Sequence, residues 1–405
     1  MVMDNQQKES LNSWRKDWMS KYDLKFINHA CIGFENDEEL ILTDPWFSGR
    51  VFNDSWGLLE DTSLDELNLD KLTTIIYSHE HPDHLHWKTL NDIREKVNQE
   101  IMIVFRERTN KNIMNQCKKL GYEYAEIKLN TETLLRDNFT LGLFEAGHDS
   151  SIVYRVDGKV ILNQNDSRPI SHISNMIKSI YSHIDVWFMQ FGLAGYYANR
   201  DDSVGLERAR QTHIDLIEQY YNIYTPSIFV PFASFVYFCK KYNCFLNDVQ
   251  VTPQDVLERF PQERYSTQLM FKGDSILYEN WENRNEENLR KWGDIINGDK
   301  YITELKEYTE DDILKEAKKL MLEVENNAPQ EVHLELFDND KSFSIDFSNK
   351  RFGFIDKVDD NLLIGRLPME ELFSFLKFPW GADTLNITSC FDKINDGLWR
   401  NFLVY

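Results

Sequence analysis

Short runs of apolar and β-branched residues alternate with amphipathic helical patterns over the first half of the chain. The run at residues 73–77 is typical of a buried strand. The pattern predicts strands at residues 24–30, 39–43, 73–77, 101–105, 140–145, 151–156, 160–163, 185–189 and 227–232. It predicts helices at residues 10–20, 88–96, 110–120, 170–180 and 204–221. Strands interleaved with helices favour a layered α/β architecture over a helical bundle or a β-sandwich.

The pattern changes in the last third of the chain. A polar, charged stretch at residues 281–299 precedes a predicted helix at 311–327, four strands between 332 and 364, and a helix at 369–376. The sequence therefore predicts a catalytic domain at residues 1–280, a linker at 281–299 and a smaller α+β domain at 300–405. The region 300–405, with its helix, strand meander, second helix and apolar segment 367–391, resembles a sterol-carrier-type module, and a docking, lid or dimerisation role is the alternative.

Charge and composition narrow the possible partners. Forty-five basic and 67 acidic residues give a net charge of −22, which argues against a nucleic-acid partner because phosphate backbones are bound by an excess of lysine and arginine. No run of eighteen apolar residues predicts a membrane span. The start of the chain has no secretory pattern, and the five scattered cysteines form no CxxC pair, so we expect a cytoplasmic protein.

One motif dominates the candidate chemistry. Directly after the strand at 73–77 comes Ser-His-Glu-His-Pro-Asp-His-Leu, and four of the chain's ten histidines lie within residues 79–86. A loop of the form HxHxDH can divide its ligands between two metal ions, with His79 and His81 at one ion and Asp83 and His84 at the other. Imidazole suits zinc or iron, and a carboxylate adds an oxygen ligand and negative charge.

Two later positions extend this ligand set. His148 follows the predicted strand at 140–145, and Asp166 follows the strand at 160–163, where it can bridge two metals. We therefore predict the metal ligands His79, His81, Asp83, His84, His148 and Asp166 for two divalent ions, with iron favoured and zinc as the alternative. Asp83 and Asp166 are also the candidate catalytic carboxylates.

The order HxHxDH, then His, then Asp in an α/β chain resembles the metallo-β-lactamase superfamily. That resemblance implies an αββα sandwich, two sheets between helices, with the metals at one edge of the sheets. Residues 41–59, 149–166, 185–197 and 230–238 are further similar to the catalytic region of the CMP-N-acetylneuraminate hydroxylase family. The similarity covers about residues 24–280.

Two departures from this family affect the prediction. The family's Rieske iron–sulfur domain needs two Cys/His pairs, which this sequence does not supply. An oxygenase reaction would then need electrons from an external donor or from the substrate. In addition, many hydrolases of this fold carry a late histidine ligand, where this chain reads Phe232-Ala233-Ser234.

The sequence leaves the reaction open between two classes of enzyme and a binding protein. The favoured hypothesis is a di-iron oxygenase acting on a small polar, anionic metabolite. The alternative is a dinuclear zinc hydrolase of an ester, amide or phosphodiester, in which the metals generate hydroxide near neutral pH. The third hypothesis is a non-catalytic protein that binds metal structurally.

Several residues outside the ligand set are candidates for supporting roles. Asp44 ends a predicted strand beside the histidine loop and is expected to hold a ligand through a hydrogen bond. Arginine recognises carboxylates and phosphates in a bidentate manner, which makes Arg50 and Arg168 candidates for substrate binding. Ser234 and Tyr237 lie where the late ligand would be and are further substrate candidates.

Overall fold

The computed structural model describes residues 22–107, 109–276, 283–323, 331–378, 381–397 and 399. The helix predicted over residues 10–20 lies outside the described residues. Within the described part of the chain, every helix falls short of the length or the apolarity that crossing a bilayer requires.

The strands fall into four sheets. They are, in chain order, β1 (Asp23–Asn28), β2 (Cys31–Glu35), β3 (Leu40–Thr43), β4 (Arg50–Val51), β5 (Trp56–Leu58), β6 (Leu72–Ile76), β7 (Met102–Arg106), β8 (Glu123–Ile127), β9 (Glu132–Arg136), β10 (Phe139–Ala146), β11 (Asp149–Val156), β12 (Lys159–Asn165), β13 (Val186–Gln190), β14 (Ile228–Phe232), β15 (Val236–Phe238), β16 (Val332–Leu336), β17 (Ser342–Asp346), β18 (Arg351–Ile355), β19 (Leu363–Leu367) and β20 (Asp392–Lys393).

The α-helices lie between and after these strands. In the described residues they are α1 (Trp87–Lys96), α2 (Lys111–Lys119), α3 (Ser171–Ile180), α4 (Ser203–Tyr224), α5 (Pro253–Arg259), α6 (Gln262–Tyr265), α7 (Asn285–Asn297), α8 (Glu310–Glu323), α9 (Met369–Lys377) and α10 (Gly381–Thr388).

Two six-stranded sheets face each other. The first has the order β1-β2-β3-β6-β7-β8 and the second the order β14-β13-β12-β11-β10-β9. Their inner faces are apolar, and the ring of Phe34 lies 5.1 Å from that of Phe139 and 4.7 Å from that of Tyr154 across the interior. This burial of aromatic surface between the sheets holds the sandwich together.

Helices cover the outer faces of both sheets. Leu90 and Ile93 of α1 pack in a core cluster with Ile75 and Ile103 of the first sheet. On the other side, helices α3 and α4 bury residues against the second sheet, among them Ile177 and Ile217. The predicted αββα sandwich is therefore confirmed.

Sheet direction places several loops at one edge of the sandwich. Strand β6 pairs in parallel with β3 and with β7, so the loops that follow these strands emerge on the same side. Strand β12 likewise pairs in parallel with β13. The histidine loop follows β6, and Asp44 follows β3, which brings residues distant in sequence to this edge.

The last part of the chain has its own core. The sheet β18-β17-β16-β19-β20 packs with α8 and α9 around buried residues such as Ile313, Leu334 and Leu372. This is the smaller α+β unit that the pattern predicts. The predicted linker contains helix α7, whose Trp292 is buried in the core of the sandwich. The exact domain boundaries stay a prediction.

Most predicted elements match the observed ones within a few residues, but short strands were missed. Strand β2 pairs with β1 through a tight turn at His29-Ala30, whereas the pattern predicts no strand between the one at 24–30 and the one at 39–43. Strands β8 and β9 were also missed, because their alternation of apolar and polar residues is weak and both are largely half-buried or exposed.

Candidate metal centre

The histidine loop crosses the edge of the sandwich directly after β6. His79 and His84 are buried, with 1% and 0% of their surfaces exposed, and Asp83 is 4% exposed. The amide N–H groups of His84 and Leu85 donate to the carbonyl oxygen of His81, which folds the loop into a tight turn. Strand β6 thus fixes one end of the loop, and this turn directs the side chains toward one point.

The second sheet supplies two carboxylates to the same point. Asp149 begins β11, and its Oδ1 lies 3.7 Å from Nε2 of His79. Asp166 follows β12, with Oδ2 3.8 Å from Nε2 of His79 and Oδ1 3.5 Å from Nε2 of His84. Asp166 therefore lies between two histidines of the loop.

Three overlapping groups of side chains have ligand atoms within 4.8 Å of one another. Among the described residues these groups are His79, His81 and Asp149; His79, His84 and Asp166; and His29, Asp83 and His84. His86 lies in none of them, because its side chain caps α1 and accepts the amide N–H of Thr89.

These groups fit metal ions. Nitrogen and oxygen ligands lie about 2.0–2.2 Å from zinc, so ligands of one ion lie roughly 3–4 Å from each other. The separations of 3.5–3.8 Å between His79, His84 and the two carboxylates fall in this range. Nε2 of His84 and Oδ1 of Asp83 and Asp166 are buried and have no hydrogen-bond partner. A buried polar atom without a partner destabilises the folded protein. A bound metal ion would provide the missing partner for these atoms.

The carboxylates and imidazoles strongly perturb one another. Burial lowers the pKa of His84, but the charges of Asp166, Asp83 and Asp44 outweigh burial and raise the pKa well above its ordinary value. Burial raises the pKa of Asp83, but His84 and His29 outweigh it and lower that pKa to about 2. Burial and the charge of Asp166 raise the pKa of Asp149 to about 6. Such mutual shifts are typical of functional sites.

Asp44 lies behind the ligands, as its position after a strand predicts. Its Oδ2 lies 3.0 Å from Nδ1 of His84 and accepts a 2.6 Å hydrogen bond from the hydroxyl of Ser78. Its Oδ1 accepts the amide N–H of Ser78 at 2.8 Å. A carboxylate that binds Nδ1 orients the imidazole and leaves Nε2 directed toward the metal position.

The structure differs from the sequence prediction at His148. Gly147 and His148 form the two-residue turn of the β10–β11 hairpin, in which Ala146 pairs with Asp149. The His148 side chain is exposed and belongs to none of the three groups, while that of Asp149 points to His79. Asp149, and not His148, therefore faces the histidine loop in this structure, because the turn carries His148 past the sheet edge, and the metal ligand at this hairpin stays a prediction.

Arg50 and Tyr237 lie together, away from the ligands. They line a cavity of about 430 Å³ with Lys300 and Asp61, and no ligand named above lines it. The guanidinium of Arg50 also lies 4.2 Å from the ring centre of Tyr301. The two candidates share one cavity, but this cavity is separate from the cluster.

Arg168 and Ser234 occupy different surroundings. Arg168, two residues after Asp166, lines a cavity of about 550 Å³ with Arg208, His213 and Lys393. The Ser234 hydroxyl accepts the amide N–H groups of Phe191 and Gly192 at 3.0 and 2.7 Å and donates to the carbonyl oxygen of Phe232. Backbone groups therefore engage the Ser234 hydroxyl, which holds two loops together.

The sequence prediction does not include Asp149 and His29, which the structure places in two of the three groups. Asp149 also follows the strand predicted at residues 140–145, but the neighbouring His148 is the more common type of metal ligand, so the sequence favours His148. His29 carries no local signal, because the His-Ala-Cys triplet resembles an ordinary turn and no pattern links it to residues 79–84. Its contact with Asp83, 54 residues away, is set by the fold alone.

A two-sheet α/β sandwich with a histidine–aspartate cluster at its edge defines the class as metallo-β-lactamase-like. Residues 39–218 match the beta-lactamase superfamily domain. This region is therefore similar to that superfamily, as the HxHxDH order indicates.

The curated relatives narrow the similarity further. Cytidine monophosphate-N-acetylneuraminic acid hydroxylase from Danio rerio is 23% identical over 225 residues, which is 52% of this chain and 38% of the relative. The Asterias rubens enzyme of the same name is 25% identical over 237 residues, 54% of this chain and 35% of the relative. The resemblance of this region to that hydroxylase is confirmed. The matches span little more than a third of these relatives' length.

Solved structures with a similar fold include proteins named as hydroxylases and proteins named as hydrolases. The diiron β-hydroxylase CmlA from Streptomyces venezuelae is 12% identical with a TM-score of 0.46, covering 64% of this chain and 54% of that chain. A metallo hydrolase from Ignicoccus hospitalis is 16% identical with a TM-score of 0.45, covering 63% of this chain and 97% of that chain.

Proposed function

We propose that this protein is a dinuclear iron oxygenase that hydroxylates a small, polar, anionic metabolite. The observation that carries the proposal is the composition of the group His79, His81 and Asp149. Two histidines and one carboxylate form the ligand set of non-haem iron oxygenases, and zinc hydrolases use the same combination, so the hydroxylation named for the curated relatives is what favours iron. The replacement of His148 by Asp149 is what creates this set.

We assign the remaining ligands by their distances. The first ion is held by His79, His81 and Asp149, and the second by His84 and Asp83. Asp166 has one carboxylate oxygen near His79 and the other near His84, an arrangement suited to bridging the ions. Asp83 and Asp166 act in this assignment as charged ligands that compensate the metal charge.

The curated relatives support an oxygenase, since the named activity of those proteins is a hydroxylation. Bound iron would supply the redox chemistry that activates dioxygen. Insertion of one oxygen atom into a C–H bond, with the other released as water, consumes two electrons and two protons. We propose that an external electron donor provides the electrons.

The protein's own groups would position the reactants. Asp44 holds His84 through Nδ1 and so keeps Nε2 directed at the metal position. Arg168 follows the bridging Asp166 by two residues and lines a cavity of about 550 Å³ together with Arg208. We propose that these two guanidinium groups bind a carboxylate or phosphate of the substrate, since Arg208 has no ion pair among the described residues.

A dinuclear zinc hydrolase is the second candidate. The specific observation in its favour is the pair of carboxylates, Asp83 and Asp166, close to the histidines. Either carboxylate is placed to orient an attacking water between two ions. The metal content and the oxygen requirement distinguish the two candidates.

The test is elemental analysis of protein purified anaerobically without chelators, followed by oxygen-uptake assays with reductant and a panel of anionic sugars and nucleotides. We expect about two equivalents of iron and substrate-dependent oxygen uptake. Zinc alone, with turnover of an ester or phosphodiester in the absence of oxygen, contradicts the oxygenase and supports the hydrolase. Metal without turnover in either assay supports the non-catalytic hypothesis.

A matched pair of variants locates the effect. Asp149→His places a third imidazole at the first ion, and we expect it to shift the metal preference toward zinc and to abolish oxygen uptake. The neighbouring His148→Ala removes an exposed side chain and should retain iron and activity. Loss of iron in His148→Ala, with retention in Asp149→His, would restore the original assignment of His148.

A further inference from the structure

His29 lies in an unusual place for a histidine. It occupies the tight turn between β1 and β2, where its φ is 32°, in the left-handed region that non-glycine residues seldom adopt. It is nevertheless only 2% exposed. A strained, buried, polar residue at the edge of a sheet is a candidate for a functional role.

The ring of His29 points to the less complete half of the metal cluster. Its Nε2 lies 3.3 Å from Oδ2 of Asp83, and Nε2 of His84 lies 3.5 Å from the same oxygen. Trp46 meets the ring edge-on at 5.6 Å and limits its movement. The atoms of the three side chains thus converge on one point with the spacing of ligands around a single ion.

Two polar atoms around this point lack hydrogen-bond partners. Oδ1 of Asp83 and Nε2 of His84 are both buried. A hydrogen bond between His29 and Asp83 alone leaves Nε2 of His84 and Oδ1 of Asp83 unsatisfied. A metal ion between the three side chains would engage His84 as well, which a simple structural role of His29 does not explain.

The backbone also connects His29 to the end of β14. The amide N–H of Ala233 donates to the carbonyl oxygen of His29 at 3.1 Å. The segment Phe232-Ala233-Ser234 offers no imidazole or carboxylate, and its Ser234 hydroxyl is engaged by backbone groups. The β1–β2 turn therefore delivers an imidazole to a part of the site to which this segment contributes no strong ligand.

We infer that His29 is a ligand of the second metal ion, together with Asp83 and His84. This inference rests on the proposed dinuclear site and deepens it. Each ion then has two imidazoles and one carboxylate of its own, with Asp166 between them. The two halves of the cluster become equivalent in composition although their ligands come from different parts of the chain.

The test is metal binding to the apoprotein, which is independent of activity. Cobalt(II) is titrated into chelator-treated wild type and His29→Gln, with the bound ions counted by equilibrium dialysis and followed by their visible spectrum. Wild type should bind two ions. His29→Gln, whose amide still donates to Asp83, should retain one ion and bind the second at least 100-fold more weakly, beyond the 10–100-fold typical of residues that only orient ligands.

The control is His183→Gln, at an exposed histidine 3.6 Å from Asp185, which should bind both ions like wild type. Unchanged affinity for the second ion in His29→Gln overturns the assignment of His29 but leaves the dinuclear site intact. Fewer than two ions in wild type overturns the dinuclear proposal, and this inference with it.

A measurement on the wild-type protein avoids any dependence on folding of the variant. In the cobalt-loaded wild type, each bound imidazole gives a hyperfine-shifted ring N–H resonance. Four such resonances are expected from His29, His79, His81 and His84. Three resonances in a protein that holds two ions would overturn the assignment.

Discussion

Two buried clusters of ionisable side chains in this protein have opposite designs. In the metal cluster, the histidines and aspartates leave several buried atoms without hydrogen-bond partners. At the junction with the C-terminal unit, Lys240 lies 3.0 Å from Glu370 and 2.9 Å from Glu371, and all three are almost fully buried. Here Lys240 donates a hydrogen bond to Glu371 and forms an ion pair with Glu370, whose Oε2 makes no hydrogen bond, and Thr388 donates a further hydrogen bond to Glu371.

The difference shows what each cluster is for. Burial lowers the pKa of Lys240, but Glu371 and Glu370 outweigh it and raise the pKa above its ordinary value, so the lysine is a permanent cation. Its partners lie on α9, and the Lys240 contacts therefore join the sandwich to the C-terminal unit. A cluster whose charges pair with one another stabilises a contact between domains. A cluster of potential ligand atoms without hydrogen-bond partners is suited to bind a metal ion.

The strongest way to break this comparison is Lys240→Met. Two buried carboxylates then lose their counter-charge, and we expect a loss of about 3–5 kcal/mol in the free energy of unfolding, measured with urea. The exposed pair Lys341–Glu310 serves as the control, and Lys341→Met should leave the free energy of unfolding close to that of wild type.

The triple variant Lys240→Met, Glu370→Gln, Glu371→Gln separates charge from packing. Removing all three charges should recover most of the lost stability. The reason is that the loss in the single variant comes from leaving buried carboxylates without a counter-charge, and the triple variant leaves no such charge. Equal losses in the single and the triple variant would mean that packing, not charge, holds this junction.

A third buried ionisable group, His213, makes the stability of the protein depend on pH. Burial, with the nearby charge of Arg168, lowers the pKa of His213 from 6.5 to about 4. The folded state then binds its proton less readily than the unfolded state, so the associated stability is complete above pH 6.5 and is lost as the pH falls toward 4. The difference amounts to about 3 kcal/mol.

This pH effect is measured by urea unfolding of the apoprotein between pH 7 and pH 4.5. His213→Gln does not titrate, and we expect its stability to fall by less than that of wild type over this interval. If the free energy of unfolding falls equally with pH in the two proteins, then His213 binds a proton as readily in the folded as in the unfolded state. That outcome would contradict the lowered pKa of His213.

The smallest expected effect is on metal affinity, through the hydrogen bond between Asp44 and His84. Asp44→Asn keeps the shape of the side chain but removes the charge next to His84, and we expect metal affinity to fall about 10–100-fold, or about 1.4–2.7 kcal/mol. Isothermal titration with cobalt or zinc measures the change. Asp92→Asn, in an exposed pair with Lys88, should leave metal affinity unchanged.

The local sequence predicted those features whose cause is local. The HxHxDH loop follows an apolar strand directly, so the positions of His79, His81, Asp83 and His84 at the sheet edge were predictable from strand alternation and spacing. Asp166 and Asp44 follow strands in the same way. Their arrival at one edge follows from the parallel pairing of neighbouring strands, which an alternating α/β pattern already predicts.

The features that were missed depend on geometry beyond the local pattern. Whether His148 or Asp149 faces the histidine loop depends on a turn of two residues, and a shift of one residue there reverses which side chain does so. The polar composition of residues 281–299 predicts a linker, and it conceals the buried Trp292 that packs helix α7 into the core of the sandwich.

The amino-acid sequence by itself determined the αββα class and one histidine loop with its candidate carboxylates. The tertiary structure decided which side chain of the β10–β11 hairpin reaches the loop and that His29 contacts Asp83 across 54 residues. It also decided that Lys240 meets Glu370 and Glu371, which follow it by 130 and 131 residues. The physical reason is that alternation and spacing are properties of short segments. Contacts between distant segments are set only when the sheets pack and their turns fix the register of each side chain.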